Sequence, residues 1–277
     1  MPYTISDTPS GRVRLHWEEQ GSGEPVVLVM GHLFSSDMWY PALPALAEQY
    51  RVIYFDNRGT GTSDATGSAT VADLAADVRA VMDAAGVADA HLYGVSMGGG
   101  IVLQLAHDAP ERVRSMVLGC TAMRSPEHPL PPPPGFLARQ LRYRVPARLL
   151  KPLLRKRLYG PMASPEAVER DLDVLCRMRF SARGVYAQDL AIAGYDMTPD
   201  KVAALTAPAL VLHGTADEAV PYAAGVRLAE TLPDARLVTY EGAGHNYPVD
   251  VGDRANTDVL AFLAEHRSSK EQRAEPI

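Results

Sequence analysis

Two cysteines in 277 residues, Cys120 and Cys176, are too few to build a disulfide framework. Their scarcity points to a reducing compartment, with both thiols expected as buried core groups. Basic charge is also short. The 27 Lys and Arg against 33 Asp and Glu leave a net charge of −6. That balance argues against nucleic acid as a partner, because affinity for phosphate backbones rests on basic surface. No apolar run approaches the roughly 18 residues that a membrane span needs. The opening MPYTISD has neither the basic nor the apolar stretch of a secretory signal. His-Glu-x-x-His and paired Cys-x-x-Cys spacings do not occur, so no metal site is expected. The absences leave a soluble, cytoplasmic protein that needs no cofactor and contacts neither membrane nor nucleic acid.

What is present is apolar sequence in a β/α rhythm. Apolar residues make up 47% of the chain, enough for a large core. Val13, Leu15 and Trp17 alternate with polar residues, as in a half-exposed edge strand. Denser runs follow at Pro25–Met30, Val52–Phe55, His91–Val95, Val113–Leu118 and Ala209–Leu212, the pattern of buried parallel strands. Helical patterns fall between or after them at Val71–Ala85, Met97–His107, Tyr222–Thr231 and Asp253–His266. Alternation at these lengths predicts an α/β fold: a doubly wound, mostly parallel sheet with helices on both faces. Residues 124–205 break the rhythm with Pro126, Pro129 and Pro131–Pro134, then helix-like, Arg-rich sequence. The expected layout is a core domain from 1–123 and 206–266, a mainly helical insertion at 124–205, and a flexible tail at 267–277.

One stretch carries chemistry. In HLYGVSMGGGIVLQLA, residues 91–106, Ser96 sits between Gly94 and Gly98 where a strand gives way to a helix. Such a turn strains the serine backbone and holds its hydroxyl out at the top of the sheet. The N–H of Met97 then points from the helix start toward a developing oxyanion. A serine needs a base to take its proton, and in this architecture the chain order is Ser, acid, His. His16, His32, His91, His107, His128 and His213 come too early, and His266 closes the last polar helix. His245, in the glycine-loosened EGAGHNYP, is the expected base. Asp217, in LHGTADEAVP, is the expected acid, with Glu218 as the fallback. The loop LVMGHLFSSDMW supplies a second oxyanion donor, the N–H of His32, whose imidazole is a candidate substrate contact.

Taken in order, VMGHLFSSDMW, FDNRGTGTSD, GVSMGG, HGTADEAVP and GAGHNYP resemble the α/β-hydrolase-fold serine hydrolases of the esterase and lactonase type. The resemblance covers nearly everything outside the insertion and implies the fold read above, with the insertion as a cap that decides the substrate. It implies a structural role for Asp56–Ser63, a turn behind the oxyanion loop that lacks the spacing of a phosphate cradle. Where the family commonly carries His-Gly, this chain has Met30-Gly31, as in a subset that includes polyketide methylesterase-like enzymes. Serine at the elbow argues against relatives that use aspartate there to open epoxides or displace halide.

The implied activity is hydrolysis of a carboxylic ester, lactone or thioester through an acyl-enzyme on Ser96. The same triad serves C–C bond hydrolases and cofactor-free perhydrolases, and the fold also hosts receptor-like binders and cyclases or lyases. Gly31, Leu33, Met178, Tyr186, Tyr195, Val220 and Tyr247 are expected around a small-molecule substrate with an apolar or aromatic part. Residues 137–158 hold Arg139, Arg142, Arg144, Arg148, Lys151, Arg155, Lys156 and Arg157 and no acid. Pro146 and Pro152 are expected to divide this segment into short helices. Its cations either cover a solvated face or receive an anionic substrate, an acyl-carrier partner or an anionic membrane surface.

Overall fold

The computed structural model describes residues 2–125 and 147–267. Among them, eight strands form one sheet in the order β1-β2-β4-β3-β5-β6-β7-β8. The strands are β1 Tyr3–Thr8, β2 Gly11–Gln20, β3 Pro25–Val29, β4 Arg51–Phe55, β5 Ala90–Val95, β6 Val113–Gly119, β7 Ala209–Gly214 and β8 Ala235–Tyr240. Pairing is antiparallel at β1–β2 and β2–β4, and parallel from β4 through β3, β5, β6 and β7 to β8. All six parallel strands therefore end at the same edge of the sheet. The expected buried runs are its centre: Val26–Val29, Met116–Leu118 and Leu210–Leu212 are all buried.

The described helices are α1 Leu43–Ala47, α2 Val71–Ala84, α3 Met97–Asp108, α4 Ala147–Leu158, α5 Pro165–Arg177, α6 Ala182–Ala193, α7 Pro199–Ala203, α8 Tyr222–Thr231, α9 Tyr247–Val251 and α10 Asp253–Glu265. They divide the core between the two faces of the sheet. Leu74, Val78, Ile101, Leu105, Val202 and Leu228 belong to one apolar cluster, and Leu46, Val259 and Leu263 to the other. The fold is thus doubly wound. No helix among the described residues is long and apolar enough to cross a membrane.

Four readings of the sequence change. The alternating Val13, Leu15 and Trp17 lie on β2, one strand in from the edge, because β1 pairs outside it. The last helical pattern is preceded by a separate turn of helix, α9, set off by Gly252 at φ +57. Helix α4 runs through Pro152, whose fixed φ suits a helix at the loss of one main-chain hydrogen bond. The end of the insertion is core: Ala187, Ala191, Met197, Val202 and Leu205 join the cluster that contains α3. The prolines from Pro126 to Pro134, together with Arg139, Arg142, Arg144 and Pro146, lie outside the described residues, as do residues 268–277. So does the side chain of Arg148.

The turn after β4 is held from three sides. Asp56 accepts from the Ser36 N–H and hydroxyl at 2.9 Å each and from the Thr62 N–H at 2.9 Å. Asn57 Nδ2 donates to the Met30 carbonyl at 2.8 Å, which fixes the loop after β3. Arg58 is fully buried and makes two 2.6 Å hydrogen bonds to Asp77, so it serves the core. Removing it leaves a buried carboxylate without its cation. Arg58→Ala is therefore expected to lower unfolding free energy by about 3–5 kcal/mol, read as a shifted urea midpoint at unchanged slope. A loss below about 1 kcal/mol would show the pair to be unimportant.

Candidate active site

Five loops meet along the carboxyl edge of the sheet, after β3, β5, β6, β7 and β8. Among the described residues, three non-glycines adopt positive φ: Leu33 at 75°, Ser96 at 54° and Cys120 at 41°. They follow β3, β5 and β6. Such backbone costs about 1–3 kcal/mol per residue and gathers where function over-determines it.

Ser96 caps the start of α3. Its N–H donates to the Gly119 carbonyl at 2.8 Å, and its carbonyl accepts from the Thr121 hydroxyl at 2.7 Å. The flanking glycines are needed for space. A Cβ on Gly94 would stand 2.4 Å from the Gly98 carbonyl oxygen, and one on Gly98 would stand 2.0 Å from that of Val29. Gly31 likewise abuts the elbow, where a Cβ would come within 3.2 Å of the Ser96 Cβ.

The loop after β3 is fastened by α6 of the insertion. The Leu33 N–H donates to Gln188 Oε1 at 3.0 Å, and Gln188 Nε2 donates to the Arg58 carbonyl at 3.0 Å. His32 Nε2 lies 3.0 Å from Asp189 Oδ1, so its imidazole faces this helix. The Leu33 N–H is thereby engaged within the protein.

Asp217 and His245 come together as expected. His245 Nδ1 lies 2.8 Å from Asp217 Oδ2, while Asp217 Oδ1 accepts from the N–H groups of Ala219 at 2.7 Å and Val220 at 2.8 Å. Glu218 is exposed. A further imidazole supports the same carboxylate: His213, fully buried on β7, places Nε2 3.2 Å from Asp217 Oδ2 and 3.0 Å from the Val220 carbonyl oxygen. Burial would push the Asp217 carboxyl up, but hydrogen bonds from His213 and His245 outweigh it and hold it well below the usual carboxylate range. For His245, burial disfavours the charged ring. The Cys120 sulfur and the Asp217 carboxylate beside it favour the charge more strongly, and its pKa is pushed up to about 10.

Sequence reasoning passed over two of these groups. His213 precedes the acid, but chain order excludes it only as the base. Its four-residue spacing from Asp217 was the available signal. Cys120 reads as a core thiol and is indeed buried, but it faces His245 from the end of β6. His266 lies at the end of α10, its ring 4.6 Å from that of Phe262.

The expected pocket residues divide. Met178, Tyr186, Leu33 and Val220 are half-buried, and Met178 Sδ accepts from the Ser35 N–H at 3.4 Å. Tyr195 and Tyr247 are buried in the two apolar clusters. Their hydroxyls are engaged, Tyr195 donating to the Ala122 carbonyl at 3.1 Å and Tyr247 meeting that of Tyr93 at 2.8 Å. In the basic stretch, Lys151 pairs with Glu169 and with Asp173 at 2.8 Å, and Arg155 pairs with Glu169 at 3.0 Å. These two cations answer acids of α5. Among the described residues, no cluster of His, Cys, Asp or Glu could hold a metal ion.

The fold and this edge define a class, the α/β-hydrolase-fold enzymes, and the chain belongs to that family. A family model described as alpha/beta hydrolase fold matches residues 24–158, and one described as TAP-like protein matches residues 189–273. The chain is 31% identical, over 96% of its length and 99% of the relative's, to "Putative carbamate hydrolase RutD" of Azorhizobium caulinodans. It is 33% identical to the 2-hydroxy-6-oxononadienedioate/2-hydroxy-6-oxononatrienedioate hydrolase of Burkholderia vietnamiensis, over 91% of each chain. The crystal structure of the enol-lactonase from Burkholderia xenovorans LB400 matches with a TM-score of 0.81 at 27% identity, covering 95% of this chain and 100% of that one.

Proposed function

We propose that this enzyme cleaves a carboxylic ester, lactone or thioester of a small molecule through an acyl-enzyme on Ser96. The observation that carries the reading is the 2.8 Å contact of Asp217 with His245 Nδ1. It fixes a proton on Nδ1 and reserves Nε2 for the serine. Ser96 Oγ attacks the acyl carbon while its proton passes to Nε2. The N–H groups of His32 and Met97 hold the oxyanion. His245 then returns the proton to the leaving oxygen or sulfur as that bond breaks. Water attacks the acyl-enzyme, giving a proton to Nε2, and the acid departs as Ser96 regains its hydrogen. The helical insertion acts as the cap that shapes the substrate site.

The 33% identity to the 2-hydroxy-6-oxononadienedioate/2-hydroxy-6-oxononatrienedioate hydrolase favours one second reading, C–C bond hydrolysis with the same residues. Turnover of p-nitrophenyl esters, lactones, thioesters and vinylogous diketones separates the two. Ester, lactone or thioester turnover together with fluorophosphonate labelling of Ser96 supports the first reading, whereas turnover confined to diketones supports the second.

The raised His245 pKa sets the pH dependence. Only the neutral imidazole accepts the serine proton, so kcat/KM should rise with pH through the ionisation of free enzyme. Its midpoint is expected on the alkaline side of 6.5, toward about 10. Cys120→Ala, which removes a group that favours the charged ring, should move the midpoint down. An ordinary midpoint that Cys120→Ala leaves in place would show that the sulfur does not tune the base. The same shift acts on the fold: it contributes stability below the unfolded pKa that is lost as pH rises through the folded one.

A further inference from the structure

The loop that carries His245 has little reason of its own to be rigid. Gly242 and Gly244 both precede the histidine, and such residues lose the most conformational freedom on folding. The loop after β7 holds its start, with the Gly242 N–H donating to Thr215 Oγ1 at 2.8 Å and the Ala216 N–H to the Ala243 carbonyl at 2.9 Å; the insertion joins it on both sides of His245. On the far side, the Asn246 N–H donates to the Leu158 carbonyl at 2.6 Å, and Asn246 Nδ2 donates to Asp171 Oδ2 at 2.7 Å. Asp171, fully buried on α5, also accepts from Tyr159 at 2.5 Å and, through Oδ1, from Tyr40 at 2.8 Å. On the near side, Asp250 Oδ2 accepts from two backbones at once, the Gly244 N–H at 2.6 Å and the Gly160 N–H at 2.7 Å. One carboxylate oxygen thereby ties the residue before His245 to the insertion.

The two backbones meet without side chains between them. A Cβ on Gly160 would stand 2.0 Å from the Gly242 carbonyl oxygen, and one on Gly244 would stand 2.6 Å from the Gly160 nitrogen. We propose that Asn246, Asp171 and Asp250 are positioning residues for His245, forming a bridge through which the insertion sets the imidazole. This rests on the reading of His245 as the base. The described side-chain contacts of the bridge are to protein groups, so its loss is expected to act on the chemical step: a base displaced by about 1 Å costs on the order of 100-fold in rate.

The test compares Asn246→Ala, Asp250→Ala and Asp250→Asn in the full chain. Asn246→Ala and Asp250→Ala should each lower kcat by about 10- to 100-fold at little-changed KM, on whichever ester, lactone or thioester the wild type turns over. Asp250→Asn can set its amide oxygen where both N–H groups point and should recover most of that loss. In parallel, the low-field Nδ1–H proton resonance of His245 should broaden or vanish in the two alanine variants and persist in Asp250→Asn. Wild-type kcat in both alanine variants overturns the proposal, as does a loss of rate that only tracks the folded fraction by circular dichroism. If the wild type neither turns over these substrates nor labels with a fluorophosphonate at Ser96, the reading of the site fails instead. The resonance still decides the bridge, because an unchanged Nδ1–H signal in the alanine variants overturns it.

Discussion

Ser96→Ala is expected to lower turnover by about 10⁴-fold or more while the protein folds as before. In the proposed mechanism the side chain contributes the attacking oxygen, and without it no acyl-enzyme would form. What remains is binding and whatever help the N–H groups of His32 and Met97 give to direct attack by water. The elbow itself does not depend on the hydroxyl. Its backbone is held by the Gly119 carbonyl and the Thr121 hydroxyl, and by the approach of Gly94 to Gly98. Circular dichroism and melting should therefore match wild type, and fluorophosphonate adducts should disappear from the mass spectrum. Full activity in contamination-free Ser96→Ala would sink the covalent mechanism.

Asp217→Asn should cost a similar amount, about 10⁴-fold in kcat, for a reason visible in the hydrogen bonds. The carboxylate is an acceptor on both sides: Oδ1 serves two backbone N–H groups, and Oδ2 serves His245. An amide offers one oxygen. Either its NH2 turns against the Ala219 and Val220 donors, or it meets His245 Nδ1 and forces the proton to Nε2, where the serine's proton must go. Substrate binding should survive, so the loss belongs to kcat. His245→Ala should be as damaging. Glu218→Gln and His266→Ala serve as controls and should stay near wild type, Glu218 being exposed and His266 lying at the end of α10. A crippled Glu218→Gln beside an active Asp217→Asn would move the acid one residue along the loop.

Much of this edge could be read from local sequence because its causes are local. Tight corners require small residues, so Gly94 and Gly98 announce the elbow around Ser96. Buried parallel strands are continuously apolar, so five of the six were visible as runs; β8, at the sheet edge and only partly buried, was not among them. Nor was strand β1, since it lies at the sheet edge with Tyr3 and Ile5 exposed, and its pattern does not differ from a polar loop. The supports of the site were hidden for the opposite reason: they act across long stretches of chain. Asp171 sits among charged residues on an amphipathic helix and reads as solvated. It is nevertheless fully buried, because Tyr40, Tyr159 and Asn246 converge on it from three distant segments. Asp250 is hidden in the same way, because the Gly160 N–H that it accepts from lies far back along the chain. Such partners are a property of the folded neighbourhood, and spacing along the chain does not encode them; His213, four residues before Asp217, is the exception.

The insertion fastens the loop after β3 through Gln188 and Asp189 as well as the loop after β8. This bears on how such enzymes can be recombined. A segment lying over a finished site could be traded between relatives to change the substrate at no cost in rate. Here the exchange would take away Gln188, Asp189 and Asp171, while the Leu33, His32, Tyr40 and Asn246 groups that meet them stay behind in the sheet domain. A transplanted segment must bring equivalents at those positions, or the chimera inherits a new specificity and a slack base together. If the proposed bridge holds, evolution of substrate range in this chain is tied to its rate, and changes confined to the proposed pocket side chains Met178 and Tyr186 would offer a smoother path than wholesale replacement.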